Sequence, residues 1–255
     1  SERLGKYNIT SKNKASVKNL KMFNFNNIWL YGIFGIIAQN TGAAAWKIVG
    51  VVLSVIAAYL LGSLNFGVII SRLAYRDDVR RHGSGNGGMT NMLRTYGKRT
   101  AVLTFVCDAA KAVLSILLFG RLFGGALGAT FAGLGCIVGH AFPLYFGFRG
   151  GKGVVTVAVM IMCQNWLVGL TLMAVFFTVV LTTKYVSLGS CMCMVIYPYV
   201  LYKFTGAGTH ILVAMAAALL VLWLHRENLR RLRNGTENKT SLFSKKKKKE
   251  DDGSK

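Results

Sequence analysis

Residues 48–74 read "IVGVVLSVIAAYLLGSLNFGVIISRLA", and the reading of that stretch decides the fold. It carries one charge, Arg72, near its end. It is longer than the ~18 apolar residues needed to cross a bilayer. Lipid offers no partner to a backbone amide, so such a segment must satisfy its own hydrogen bonds as a helix. Working outward, comparable stretches occupy 100–121, 123–147, 153–165, 167–183, 187–204 and 209–224. The composition agrees: 53% of the 255 residues are hydrophobic, 16% are charged, and mean hydropathy is +0.44. A soluble domain carries about 25% charged residues. The expected fold is an all-α integral membrane protein with seven transmembrane helices.

A further apolar piece, "IWLYGIFGIIA" at 28–38, stops at "QNTG". It is too short for a crossing and is expected to be interfacial or re-entrant. The chain thus divides into a polar, basic extension at 1–47 that contains this piece, a membrane-embedded domain at 48–239, and a Lys-rich tail at 240–255 expected to be disordered. No secretory signal is expected.

The formal net charge is +22, gathered in loops and tails. Arg76, Arg80, Arg81, Arg94, Lys98, Arg99, Arg149, Lys152, Lys184 and Arg226–Arg233 fall on one side of a seven-span arrangement, against Arg121 and Lys203 on the other. The positive-inside rule makes the first side, with the C-terminus, cytoplasmic. The Lys-rich N-terminus is then outside, against the rule; an eighth span at 28–46 would remove that conflict. Seven is preferred because Gln39, Asn40 and Thr41 would sit in hydrocarbon. Charge split among short loops fits anionic lipids and phosphorylated substrates, and excludes nucleic acid. The five cysteines lie in apolar runs without C-x-x-C pairs, so neither a disulfide framework nor a metal site is expected.

Three polar stretches fall on the basic side. In "HGSGNGGMTN" (82–91), Gly83, Gly85 and Gly88 fit G-x-G-x-x-G. A dinucleotide fingerprint needs a preceding strand and a βαβ unit, and here a membrane span follows. A phosphate cradle is favoured over a structural turn: glycines admit close backbone N–H groups, Ser84, Asn86, Thr90 and Asn91 add hydrogen-bond partners, and Arg94 adds charge. In "GHAFPLYFGFRGGKG" (139–153), Gly150, Gly151 and Lys152 resemble a Walker loop, but Phe146 replaces its first Gly and Gly153 its Ser/Thr. That leaves an anion site or a plain basic connector. In "HRENLRRLRNGTE" (225–237), His225 and Asn228 share a helix face. His225 serves as general base or phosphate ligand on one reading, and as an interfacial anchor on the other. Glu227 and Glu237 read as structural partners of nearby arginines. Within the second span, Asp108 and Lys111 stand at i,i+3 and read as a structural ion pair. Ser63 and Arg72 mark the end of the first span. No H-x-x-x-x-D dyad exists, since Gly87, Tyr145, Met215 and Arg230 follow the four histidines at that spacing.

Taken in order, "GSLNFGVIISRL", "GSGNGGMTNMLRTYGKR", "GHAFPLYFGFRGGKGV", "KYVSLGS" and "HRENLRRLRNGTE" resemble the bacterial acyl-phosphate:glycerol-3-phosphate acyltransferases, the PlsY family, over roughly residues 50–239. The resemblance implies seven membrane helices with a cytoplasmic active site in the bacterial cell membrane. It also implies transfer of an acyl chain from acyl phosphate to the 1-hydroxyl of glycerol 3-phosphate without a cofactor, and a functional link to the enzyme making acyl phosphate from acyl carrier protein. It carries catalytic roles onto His225, Asn228, Lys152, Ser84 and Arg94. Gly83, Gly85, Asn86, Gly88, Thr90, Asn91, Gly150, Gly151, Ser187, Ser63 and Arg72 become substrate- or phosphate-binding positions. Asn65, Gly87, Met89 and Ala112 depart from residues usual in the family, without removing one of these polar groups. A non-enzymatic transporter or lipid-phosphate binder is the alternative; a transporter would more often show internal repeats.

Overall fold

A computed structural model of the chain describes residues 24–240, so the N-terminal lysines 6–21 and the poly-Lys run lie outside the described residues. Among the described residues the protein is all-helical. Its α-helices are α1 Phe25–Thr41, α2 Ala45–Gly62, α3 Phe66–Tyr75, α4 Met89–Tyr96, α5 Lys98–Leu114, α6 Leu122–Ala141, α7 Val154–Gln164, α8 Trp166–Thr183, α9 Val186–Thr205, α10 Thr209–Leu224 and α11 Arg226–Arg233. A π-helical stretch, Ser115–Arg121, joins α5 to α6.

Four stretches are long and apolar enough to cross a membrane: Ala45–Tyr75, Lys98–Phe146, Trp166–Thr183 and Val186–Thr205; the pair α10–α11, bent by 56°, makes a fifth if counted as one. Lys98–Phe146 is not one rod. Gly125 (φ 62, ψ −144) breaks it, and Gly120 comes back against Gly128 and Ala129, so α6 runs antiparallel to α5. Only glycine takes that backbone conformation without steric penalty. The α7 helix is apolar but has only 11 residues.

The expected spans at 153–165, 167–183, 187–204 and 209–224 correspond to α7–α10 within a residue. Two expectations need correction. The stretch 48–74 is broken at Ser63–Asn65, where Asn65 turns extended and its side chain accepts from Val68 N (3.1 Å) to start α3. The stretch 123–147 stops at Ala141, and Pro143 precedes a 3₁₀ turn at Leu144–Phe146. The loop after α3 also contains a helix, α4, that no apolar run announced.

Small residues let the helices approach. Gly62 of α2 faces Cys136 of α6, and Gly139 of α6 faces Tyr59 of α2 and Ser63 just beyond it. A main core of Ile137, Val157, Met160, Val168, Tyr197, Ala214 and Val221 joins α6 to α7–α10. The break in α2–α3 frees the Leu64 carbonyl, and the Lys111 ammonium accommodates it (2.7 Å) while pairing with Asp108 (2.6 Å) and contacting His140 Nδ1 (2.9 Å). The expected Asp108–Lys111 pair is therefore present, enlarged by His140 and buried within the bundle.

Candidate active site

The two glycine loops meet at one end of the bundle. Asp78 caps a 3₁₀ turn at Val79–Arg81 and accepts from Arg72 (3.0 Å) and Arg80 (2.7 Å). The Arg80 guanidinium beside it holds its carboxyl well below the usual range, against the opposing effect of burial. Arg80 then donates to the carbonyls of Phe146 (2.7 Å) and Arg149 (2.6 Å), and Gly87 N donates to Gly150 O (3.2 Å). The loops thus form one rigid floor.

Within the first loop Asn91 is the organiser. Its Oδ1 accepts from Ser84 N (2.9 Å), and its Nδ2 faces the carbonyls of Val79, His82 and Asn86. The N–H groups of Gly85, Gly87 and Gly88 are likewise engaged, with His82 O, Gly150 O and Asn86 Oδ1. Much of the backbone expected to cradle a phosphate is therefore spent on shaping the loop. In the second loop Gly151 packs so closely on the His140 ring that a Cβ would collide with it.

Opposite this floor stands a polar network. Lys152 donates to Asn228 Oδ1, and Asn228 Nδ2 donates to Glu237 Oε1 (2.7 Å). Ser187 donates to the same oxygen (2.9 Å), and Arg231 Nε to Oε2 (2.8 Å). Glu237 reaches this position because α11 ends in a turn: Gly235 N bonds Leu232 O and Thr236 N bonds Arg231 O, a pairing that reverses the chain. Burial pushes the Glu237 carboxyl up, but donors from Asn228, Arg231 and Ser187 outweigh it and hold the group ionised below its usual range. Burial, then Arg231, brings the Lys152 ammonium down to about 8. His225 sits at the bend between α10 and α11 with Nδ1 2.8 Å from Val221 O. A carbonyl only accepts, so the proton is on Nδ1 and Nε2 is left as an acceptor.

Residues of the first loop and of this network line one cavity of about 550 Å³. Its polar end holds Ser84, Asn86, Arg94, Lys152, His225, Asn228 and Glu237; its apolar end runs between α5, α7 and α8 past Phe105, Ala158 and Phe176. Over residues 52–235 the sequence matches the family described as glycerol-3-phosphate acyltransferase. The chain belongs to that glycerol-3-phosphate acyltransferase family.

Relatives are similar over almost their whole length. The glycerol-3-phosphate acyltransferase of Coxiella burnetii (strain Dugway 5J108-111) is 39% identical over 191 residues, 75% of this chain and 98% of that one. That of Alkaliphilus metalliredigens (strain QYMF) is 36% identical over 187 residues, 73% and 94%. Two crystal structures of PlsY, an integral membrane glycerol 3-phosphate acyltransferase, superpose on it. The glycerol 3-phosphate form gives a TM-score of 0.70 at 35% identity, covering 74% of this chain and 95% of that one. The lysophosphatidic acid form gives 0.67 at 34%, covering 74% and 94%. The chain is accordingly a membrane acyltransferase.

Of the residues singled out in the sequence of this acyltransferase, Ser84, Asn86, Gly88, Thr90, Asn91, Arg94, Lys152, Ser187, His225 and Asn228 line the cavity. Gly83, Gly85, Gly150 and Gly151 do not line it and act through loop packing. Ser63 also lies off it, its hydroxyl donated to Tyr59 O at the α2 break (2.8 Å). Arg72 is occupied by Asp78 and lies over the Phe146 ring. Glu227 pairs with Arg230 at 3.4 Å on the exposed surface, where such a pair contributes little. Sequence reasoning undervalued Glu237, taken as a partner for nearby arginines only, and passed over Asp78, Arg80 and His140. The signal for Glu237 was its fixed place after "NGT", where a helix-ending Gly turns the chain back.

Proposed function

We propose that the protein transfers an acyl group from acyl phosphate to the 1-hydroxyl of glycerol 3-phosphate, giving lysophosphatidic acid and inorganic phosphate, the first acylation of phospholipid synthesis. The single observation carrying this reading is the two-part cavity. A cationic, hydrogen-bonding end suits two phosphate groups, and a continuous apolar end suits a long acyl tail. The PlsY structures, described as glycerol 3-phosphate and lysophosphatidic acid forms, support the same acceptor and product.

In this scheme Lys152 and Arg94 offset the repulsion between the two anions, with Ser84 and Asn228 orienting them. The 1-hydroxyl oxygen attacks the acyl carbonyl carbon, and the bond from that carbon to the phosphate oxygen breaks. Phosphate leaves with the electron pair. His225 Nε2, the ring nitrogen not taken by Val221 O, or a phosphate oxygen of the substrate takes the hydroxyl proton. Acyl phosphate is already activated, so the scheme uses neither an enzyme nucleophile nor a cofactor. The membrane topology in this reading has seven crossings, with α7 the short one and α1 an additional element. The glycine loops, α11 and the C-terminus face the cytoplasm of a bacterial cell, as the concentration of Arg and Lys at that end supports. The partner supplying acyl phosphate is the enzyme that makes it from acyl carrier protein.

The test is phosphate release by the purified protein in detergent given palmitoyl phosphate and glycerol 3-phosphate. Release that requires both substrates is the expected result. No release, set against release by an established family member, overturns it in favour of a lipid-phosphate binder or transporter.

A further inference from the structure

A second cavity, about 170 Å³, lies at the other end of the bundle. Its lining includes Arg121, Gln164, Thr205 and His210. Each stands at the far end of a helix whose near end serves the main cavity: Arg121 closes the stretch begun at Lys98, Gln164 closes α7, and Thr205 and His210 flank the α9–α10 turn. Cys163 lines both cavities, so the second lies just beyond the apolar end of the first.

Arg121 is the informative residue. Every Asp and Glu among the described residues belongs to the loops, helix and cavity of the catalytic end, so no described carboxylate offsets its charge. A membrane arginine that merely snorkels keeps its head in water. Here Nη1 is exposed, but Nε is buried and has no acceptor among the described residues. The side chain is instead held from outside the family match of 52–235. α1 breaks at Gly32 (φ 71, ψ 169), which releases carbonyls of its first part from the helical ladder. Arg121 Nη1 donates to one of them, Trp29 O (3.2 Å), and the guanidinium lies 5.0 Å over the Trp29 ring. With Nη1 committed to Trp29, the Nε/Nη2 edge is left, the two-pronged face that matches a pair of anionic oxygens. Gln164 supplies a further donor. Its Oε1 is taken by the Tyr197 hydroxyl, which fixes the amide so that Nε2 is the free group, and Nε2 too is buried without an acceptor among the described residues. Two orphaned donors in one cavity cost stability unless an acceptor fills it. The π-helical stretch Ser115–Arg121, a backbone form concentrated at functional sites, ends at this arginine.

We propose that Arg121, posed by the N-terminal helix, and Gln164 form a second anion site that binds a phosphate oxyanion at the end of the bundle opposite the catalytic cavity. The chemistry is that of a phosphate carrying two free oxygens, supplied by the headgroup of an anionic phospholipid or by free phosphate. The site is independent of the reaction assigned to the main cavity.

The test uses the full chain in detergent and native mass spectrometry, titrated separately with phosphatidylglycerol and with inorganic phosphate. Wild-type protein, Arg121→Gln and Gln164→Leu are compared, with acyl transfer as the measure of folding. Both variants are expected to retain transfer activity and to hold one phosphate-bearing ligand fewer, its apparent affinity weakened at least tenfold. Loss confined to phosphatidylglycerol identifies a lipid headgroup; loss confined to inorganic phosphate identifies the free ion. Should Arg121→Gln not fold, Gln164→Leu, which leaves the cation in place, decides alone. Unchanged occupancy by both ligands in an active variant overturns the proposal. Removing residues 1–41 should weaken the same ligand, because it takes away the Trp29 contact that holds Arg121 in place.

Discussion

Lys152 stands between two opposing demands: in the proposed reaction it is charged to hold a phosphate, yet it is buried beside Arg231 and Arg94. With its pKa near 8, it is cationic at neutral pH and loses its proton as the pH rises through that value. The KM for glycerol 3-phosphate should therefore climb above about pH 8, by up to about tenfold per pH unit for a single coupled proton. Lys152→Arg keeps its charge throughout this range, so its KM should stay flat with pH even if kcat falls. Lys152→Ala should lower kcat/KM by about 10–100-fold, the worth of one charged hydrogen bond at ~1.5–3 kcal/mol. Full activity of purified Lys152→Ala would remove this residue from the mechanism. Glu237 has the complementary role of holding Asn228, Ser187 and Arg231 in register. Glu237→Gln should cost about 1–3 kcal/mol in chemical denaturation. That is less than for a fully buried pair, because the Arg231 side chain is 35% exposed. Since the folded-state carboxyl ionises below its usual range, this contribution is present at neutral pH and is lost as pH falls through the lowered value.

At the scale of elements, the glycine loops function by fitting together more than by flexing. Gly151→Ala would drive a methyl group into the His140 ring and separate the second loop from α6. It should lower both the thermal midpoint and the affinity for glycerol 3-phosphate. Gly147→Ala in the same loop is the control. A Cβ added there meets nothing within 4 Å among the described residues, so the variant should lose only the ~1–2 kcal/mol of a positive φ (65°) and keep its KM. Helices α7–α10 were legible because uninterrupted apolar runs in lipid leave few alternatives. The break at Ser63–Asn65 was not, since it lies inside such a run and depends on Lys111, distant in sequence, to satisfy Leu64. Likewise α4 is amphipathic and short, and its stability comes from packing Met92 with Val68, Val79 and Ala101. Lys152, His225 and Asn228 were legible because motif spacing survives in sequence. Glu237 was obscured by nearby arginines, whereas Ser187, which it also binds, is far away along the chain.

For the molecule as a whole, the decisive feature is a cavity that is polar at one end of the bundle and continues as an apolar groove between helices. In the proposed reaction the polar end fixes the headgroup, which leaves the groove between α5, α7 and α8 for whatever chain the donor carries. Burying a methylene is worth about 0.8 kcal/mol, so affinity for the donor should rise with acyl length until the groove is full. Ala158 lines that groove and is itself exposed, so a larger side chain there can fill it without overpacking the core. Ala158→Phe should displace several methylenes of a palmitoyl chain and raise its KM more than tenfold. The KM for glycerol 3-phosphate, bound at the far polar end, should be unchanged. Short-chain acyl phosphates should lose little, so the variant's preference should shift toward them. Kinetics with C8 and C16 acyl phosphates measure this directly, and equal losses for both lengths would place the tail elsewhere.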